Sequence, residues 1–300
     1  MNDVVDFPTF LAMTGNEDLI EAVRQIHMIA PIPPSLAIRL GHLVRIHMAT
    51  GNYGPAIETW IETHDFALTD EVLDRRLEQL AHEGAEALGI GNETCLTLFK
   101  RLPSQVAREN TRYHNSKPKD EANVAAMEPL ILHLEKQGTL TRIRRIDKPM
   151  QPVESFVYQS KYKYYCTDTG LFRRMANLPA TSVDEGSPSL SRFRGVLSES
   201  YALSCLLSLS ESQVWYWKSG HQAEVDFVIT LGGHTLPVEV KTSRNVKSHS
   251  LALYRKLYDP PLALRISLLN LKRDDDLVNV PLYLVGTWLG PDILRIATAT

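Results

Sequence analysis

Apolar residues in the first 85 positions recur at helical spacing. Phe7-Pro8-Thr9-Phe10-Leu11 opens a short helix, and Ile20, Val23, Ile26 and His27 continue the pattern up to Pro31, Pro33 and Pro34. Leu40, Leu43, Val44 and His47 mark one face of a further helix, which Gly51-Asn52-Tyr53-Gly54-Pro55 should stop. A last helix is expected over Thr69 to Gly84, with Asp70 and Glu71 in its first turn, where the helix dipole favours acids. Residues 1–85 therefore read as a helical segment.

Residues 86–158 have the rhythm of a winged helix. Short helices are expected over Glu93–Lys100 and Ser104–Glu109, followed by a polar loop, His114-Asn115-Ser116-Lys117-Pro118. A longer helix then spans Glu121–Gln137 and ends on Gly138. Leu140 to Ile146 alternates like a strand, and Phe156-Val157-Tyr158 looks like its return, forming a hairpin wing. Glu121–Gln137 as a DNA-recognition helix is one reading. Its Glu121, Glu128 and Glu135 against a single Lys136 suit phosphate poorly, and a structural or protein-docking role is the other. Arg142, Arg144 and Arg145 on the wing suit phosphate better, though exposed hairpins are often basic for solubility alone.

From residue 159 to 300 the pattern becomes mixed α and β. A helix over Arg194–Leu209 precedes strands at Val214–Trp217, Ala223–Leu231 and Thr235–Thr242. A helix near Ser248–Tyr258 follows, then apolar strands at Leu262–Leu269 and Val280–Val285. That is an αβββαβ order, and the chain as a whole is mixed α/β. Two extended runs flanking Gly232-Gly233 signal a tight hairpin. With those glycines as the loop, Asp226 lies across from Glu239 and Glu224 across from Lys241. All four share one face, opposite Val225, Phe227, Ile229, Leu236, Val238 and Val240. Opposed acids repel in an ordinary sheet, and a divalent cation between them removes that penalty. Alternatively, the face is solvated, with Glu224–Lys241 as a plain ion pair.

Composition adds limits. The net charge of -3 confines any nucleic-acid surface to a local patch. Between Lys161 and Lys256 twelve lysines and arginines stand against eight acids, four of which are in the hairpin cluster or on the helix before it. Arg192, Arg194, Lys218, Arg244 and Lys247 are the candidate phosphate contacts. Cys95, Cys166 and Cys205 are widely spaced and suit a reducing compartment, without a disulfide framework or cysteine-ligated zinc. No apolar run is long enough to span a bilayer, and a cytoplasmic location is expected. Gly89-Ile90-Gly91-Asn92 lacks the lysine and hydroxyl of a phosphate-gripping loop, and no G-x-x-x-x-G-K-[ST] occurs, so no ATP site is expected.

An acid on a helix, Asp226 on one strand and Glu239-Val240-Lys241 on the next resemble the signature of the PD-(D/E)XK, or restriction-endonuclease-like, superfamily. More closely, the C-terminal part resembles the prokaryotic module called domain of unknown function 4143, which usually follows an AAA-type ATPase domain. The matching pieces are Tyr162-Lys163-Tyr164-Tyr165-Cys166-Thr167-Asp168-Thr169-Gly170-Leu171, Gly195-Val196-Leu197-Ser198-Glu199 and Trp217-Lys218-Ser219. Glu224-Val225-Asp226-Phe227, Pro237-Val238-Glu239-Val240-Lys241 and Val280-Pro281-Leu282-Tyr283 complete them. Asp6-Phe7-Pro8-Thr9-Phe10-Leu11 resembles the segment after the ATPase core, which this chain lacks.

The resemblance implies that Asp226 and Glu239, with the Val240 carbonyl, hold magnesium or manganese. Glu199 would complete the shell, and Lys241 would orient the attacking water or offset developing charge. The implied function is a metal-dependent endodeoxyribonuclease or a nuclease-like DNA-binding protein. The alternatives are a non-catalytic module that binds DNA or a protein partner and serves a separate or missing ATPase, and a winged-helix regulator. No membrane partner is expected, and oligomeric state is left open.

Overall fold

The computed structural model describes residues 4–109, 121–184, 191–211, 213–220, 223–242, 248–290 and 293–298. Six helices open the chain: α1 (Phe7–Met13), α2 (Glu17–Arg24), α3 (Pro34–Thr50), α4 (Gly54–Thr63), α5 (Phe66–Leu88) and α6 (Asn92–Arg101). Asp6 caps α1 by accepting the Thr9 N–H at 2.9 Å, and α3 ends on Gly51 at φ 77°, where only glycine is unstrained. The expected stop falls at the start of Gly51–Pro55, and the end of that run, Gly54-Pro55, opens α4, because proline's fixed φ suits a first helical turn. α5 begins at the Asp65 cap, earlier than expected, so Asp70 lies beyond the first turn. Its carboxylate serves α8 (Thr169–Met175), accepting from Arg174 at 3.0 Å and from Arg173 at 2.5 Å. Arg173, fully buried, also donates to the carbonyls of Ala49 and Leu178.

Of the expected short helix at Ser104–Glu109 only a 3-10 turn, Leu102–Ser104, is present. Ala107 adopts a left-handed φ of 60° and donates its N–H to Tyr164 at 2.8 Å, which ties this segment to a strand. α7 (Glu121–Lys136) packs on α5, α6 and the following strand through Met127, Leu130, Ile131 and Leu134. The expected loop at 114–118 lies outside the described residues.

The strands are β1 (Leu140–Ile146), β2 (Val157–Cys166), β3 (Trp215–Ser219), β4 (Ala223–Leu231), β5 (His234–Lys241), β6 (Ala263–Ser267), β7 (Lys272–Asp274) and β8 (Leu277–Pro281). They form one mixed sheet in the order β2-β1-β3-β4-β5-β6-β8-β7. β1 and β2 make the expected hairpin, and β1 also pairs in parallel with β3, as in Arg145↔Tyr216. The hairpin thus continues the sheet, and the boundary expected between residues 158 and 159 falls inside β2. The expected strand at Val280–Val285 divides: β8 ends at Pro281 and a helical turn, α11 (Leu282–Val285), follows. An apolar run this short reads the same for either element.

Helix α9 (Ser191–Leu209) covers one face of the sheet, packing Val196, Leu197 and Tyr201 with Tyr216, Phe227, Ile229 and Val238. The N-terminal helices join the same core through Phe7, Phe10 and Leu40. Helix α10 (His249–Tyr258) covers the other face, packing Leu251 and Tyr254 with Trp215, Trp217, Val225 and Val228. A short helix, α12 (Ile293–Thr298), closes the chain. The run α9, β3, β4, β5, α10, β6 reproduces the expected αβββαβ order. Among the described residues no helix is long and apolar enough to cross a membrane.

Candidate functional site

The β4–β5 hairpin turns through Gly232 and Gly233, at φ 56° and 72°, the positive values that a tight primed turn needs. Glu211 accepts both glycine N–H groups, at 2.7 and 3.1 Å. The expected register holds from Leu231↔His234 to Phe227↔Val238 and stops there. On its other side β4 carries an extra residue: Trp215 pairs with Val228, but Trp217 pairs with Val225. Asp226 and Phe227 therefore stand against Tyr216 alone, a β-bulge.

The bulge corrects two expectations. Val225 and Phe227 do not share a face, since Phe227 belongs to the α9 core and Val225 to the α10 core. Glu224 does not pair with Lys241; with the β5 ladder ended, it sits opposite Lys218 of β3 and pairs with Lys218 at 3.4 Å and with Lys163. The bulge also aims Asp226. A continued ladder would pair the Val240 N–H with the main chain of β4, but Asp226 Oδ2 accepts it at 2.8 Å.

Three carboxylates meet at this interruption. Glu239 of β5 is 3% exposed, and its Oε1 accepts from Ser248 at 3.0 Å and contacts Lys241 Nζ at 2.5 Å. Its Oε2 is buried and has no hydrogen-bond partner. Glu199 of α9 accepts from the Tyr165 hydroxyl at 2.9 Å. Burial, then Glu239 and Glu199, push the Asp226 carboxyl well above its ordinary value, against the pull of Lys163 and the Val240 N–H. Burial likewise raises Glu199, with Glu224 and Glu239 adding to it and Lys163 and Tyr165 opposing.

Two ammonium groups answer this negative charge. Lys241, with 28% of its side chain exposed, stands at the rim; burial works against its charge, but Glu239, Asp226 and Glu199 outweigh that and raise its pKa. Lys163 of β2 is only 3% exposed, paired with Glu224 and 4.9 Å from the centre of the Tyr216 ring. Burial opposes its charge too, and Glu224, Asp226 and Glu199 again prevail. Glu224 is lowered because Lys163 and Lys218 together exceed the burial penalty. Sequence reasoning gave Lys163, Tyr165 and Ser248 no place in the site. Alternation along Tyr162-Lys163-Tyr164-Tyr165 was the available signal, because it turns Lys163 and Tyr165 to the same side.

The donor chemistry fits a hard divalent cation: mutually repelling carboxylates, one with a buried oxygen lacking a partner. Their side chains do not close on one position, however. Among the described residues no three His, Cys, Asp or Glu groups are arranged to hold an ion. Asp226 is spent on Val240, and Glu239 on Ser248 and Lys241.

The expected phosphate contacts are dispersed. Lys218 is held by Glu109 at 2.7 Å as well as by Glu224. Arg192 is exposed beside a cleft of about 720 Å³ that Lys100 and Arg174 also line. Arg194 donates to the Asp184 carbonyl at 2.9 Å. Arg244 and Lys247 lie outside the described residues. Of the hairpin arginines, Arg142 pairs with Glu135 and stacks near Tyr162 and Tyr164, while Arg145 bonds the Lys218 carbonyl and lies 3.6 Å from Glu109. Arg144 is half-buried on β1, its Nε without a partner.

Residues 194–284 match a family model described as Domain of unknown function (DUF4143). The match runs from α9 to α11 and includes Glu199, Asp226, Glu239 and Lys241, but not Lys163 or Tyr165. No curated protein and no solved structure matches the chain.

Proposed function

We propose that the chain is a metal-dependent nuclease that hydrolyses phosphodiester bonds of DNA. The observation that carries this is a buried cluster in which Glu199, Asp226 and Glu239, from α9, β4 and β5, raise one another's cost of ionisation, with a partnerless Glu239 oxygen and with Lys241 on the rim. Such a cluster is costly to bury without a cation. Asp226 and Glu239 would hold magnesium or manganese, with the Val240 carbonyl beside them and Glu199 completing the set. The ion, when bound, supplies Lewis-acid polarisation of the phosphate and a more acidic water.

The chain's own groups do the rest. Tyr165 orients Glu199 through its hydroxyl, and Ser248, the cap of α10, orients Glu239. Lys241, at the rim, would present its ammonium to the scissile phosphate and offset charge developing on oxygen. Lys163 stays buried and balances whatever negative charge remains.

One observation favours a second reading, a non-catalytic module binding DNA or a protein partner. The carboxylates are already balanced by Lys163 and Lys241 and do not converge on one ion position. Cleavage of plasmid and branched DNA with magnesium or manganese, alongside calorimetric titration of the metal, separates the two. The nuclease requires metal binding and cleavage in the wild type, and loss of cleavage in folded Asp226→Ala and Lys241→Ala. DNA binding without metal binding or cleavage would leave the non-catalytic module.

A further inference from the structure

A cleft of about 420 Å³ lies between α3 and the elements that carry the carboxylate cluster. Helix α3 forms one wall with Ile38, Gly41 and Arg45; Arg194 of α9, Leu268 and Tyr283 form the other. Two further lining residues locate it: Ser198 immediately precedes Glu199, and Thr242 immediately follows Lys241. The cleft is thus walled in part by α9 and by the end of β5, the elements that carry Glu199 and Lys241.

We propose that this cleft receives one unpaired nucleotide of the DNA strand, so that the substrate has single-stranded character. The proposal rests on the nuclease reading and adds the substrate class to it. Its volume falls in the range of about 300–1,000 Å³ typical of sites that enclose one small ligand, and a recess of this kind admits a single base rather than a paired one. Its walls are apolar where a base would lie. Ile38 is 72% exposed and Leu268 38% exposed, and Tyr283 offers an aromatic ring. Unstacked bases settle on such surfaces irrespective of sequence.

The cleft is also cationic. Arg45 and Arg194 both line it, and their engagement is slight. Arg45 lies 3.5 Å from Asp184 in a pair exposed on both sides, the kind that a phosphate readily displaces. Arg194 spends one N–H on the neutral Asp184 carbonyl, and among the described residues no carboxylate pairs with it. Guanidinium groups with free donors match phosphate oxygens.

Gly41 provides the test. A Cβ there meets nothing closer than Arg45 Nη1 at 3.9 Å and Tyr283 Cδ1 at 4.0 Å, so alanine fits while leucine fills the cleft. Anisotropy of a fluorescent oligothymidine is measured on the full chain in EDTA, where cleavage plays no part. Unlabelled duplex and thymidine monophosphate serve as competitors. Gly41→Leu and Arg45→Ala should each weaken single-strand binding by about tenfold, within the range that loss of one stacked base gives, while Gly41→Ala binds as the wild type. Ile38→Glu, at an exposed position, repeats the test should Gly41→Leu fold poorly.

Unchanged binding in Gly41→Leu and Ile38→Glu would overturn the proposal, and so would duplex competing better than single strand. Competition by the mononucleotide as strong as by the oligomer would overturn the assignment to a strand. Absence of cleavage alone would remove the nuclease reading and leave this binding result intact. Cleavage that persists with the cleft blocked would remove only the cleft.

Discussion

Replacing Lys163 by methionine keeps most of the side chain's bulk and removes its charge from beneath three carboxylates. Lys163 is 3% exposed, so its ammonium has almost no water to fall back on, and Glu224, Asp226 and Glu199 all act on it. Removing one partner of a buried ion pair costs about 3–5 kcal/mol, because the other charge is left uncompensated. Glu224 is 31% exposed and retains Lys218 at 3.4 Å, which places the expected loss near the lower end, about 3 kcal/mol. Urea unfolding followed by tryptophan fluorescence is a direct assay, since Trp215 and Trp217 lie buried on the neighbouring strand β3. Adding Glu224→Gln should recover about 1–2 kcal/mol of the loss, because the two residues are in contact. A Lys163→Met variant within about 0.5 kcal/mol of the wild type, typical of a surface change, would refute this account of the site's charge balance.

Other consequences can be checked independently. Asp226 has its pKa raised on folding, so its contribution is fully present below the unfolded value and is lost as pH rises through the folded one. In EDTA the wild type should therefore lose thermal stability relative to Asp226→Asn as pH rises above the ordinary aspartate value of about 3.9; parallel profiles would contradict this. His47 lies 5.0 Å from Phe10 ring to ring and is pushed down to about 4 by burial. Its neutral form contributes stability that is full above its ordinary value of 6.5 and falls away toward 4, so His47→Phe should flatten the acid limb of a melting curve against pH. Gly51→Ala should be severely destabilising, on the order of several kcal/mol, since its φ is 77° and a Cβ would meet Asp168 Oδ1 at 2.1 Å. Gly41→Ala, in open space on α3, should instead stabilise by about 0.5–1 kcal/mol, and equal melting temperatures for the two variants would refute both.

The β4–β5 hairpin was readable from its residues because Gly232-Gly233 fixes the turn and alternation fixes the register outward from it. That logic held to Phe227↔Val238 and failed beyond, since no glycine or proline marks the bulge at Asp226 and Phe227. Local patterns also predicted α3, α7, α9 and α10 closely, because caps and apolar spacing are short-range signals. The start of α4 was obscured by a Gly-Pro pair that serves equally as stop and start. Lys163 was missed for a different reason. It reaches the cluster from a strand some sixty positions upstream of Asp226, and no periodicity in β2 says which strand β1 will join.

The parallel pairing of β1 with β3 bears on how the molecule can be divided. A piece cut to residues 194–284 would leave the main chain of Trp215–Ser219 as an open border, able to recruit a strand from another molecule. It would also forfeit Lys163 and Tyr165, leaving Glu199 and Glu224 without their nearest donors. Such a fragment would be expected to aggregate, and to misreport metal affinity where it did not. The smallest piece that keeps both the border and the charge balance begins no later than Leu140, well before the family match does.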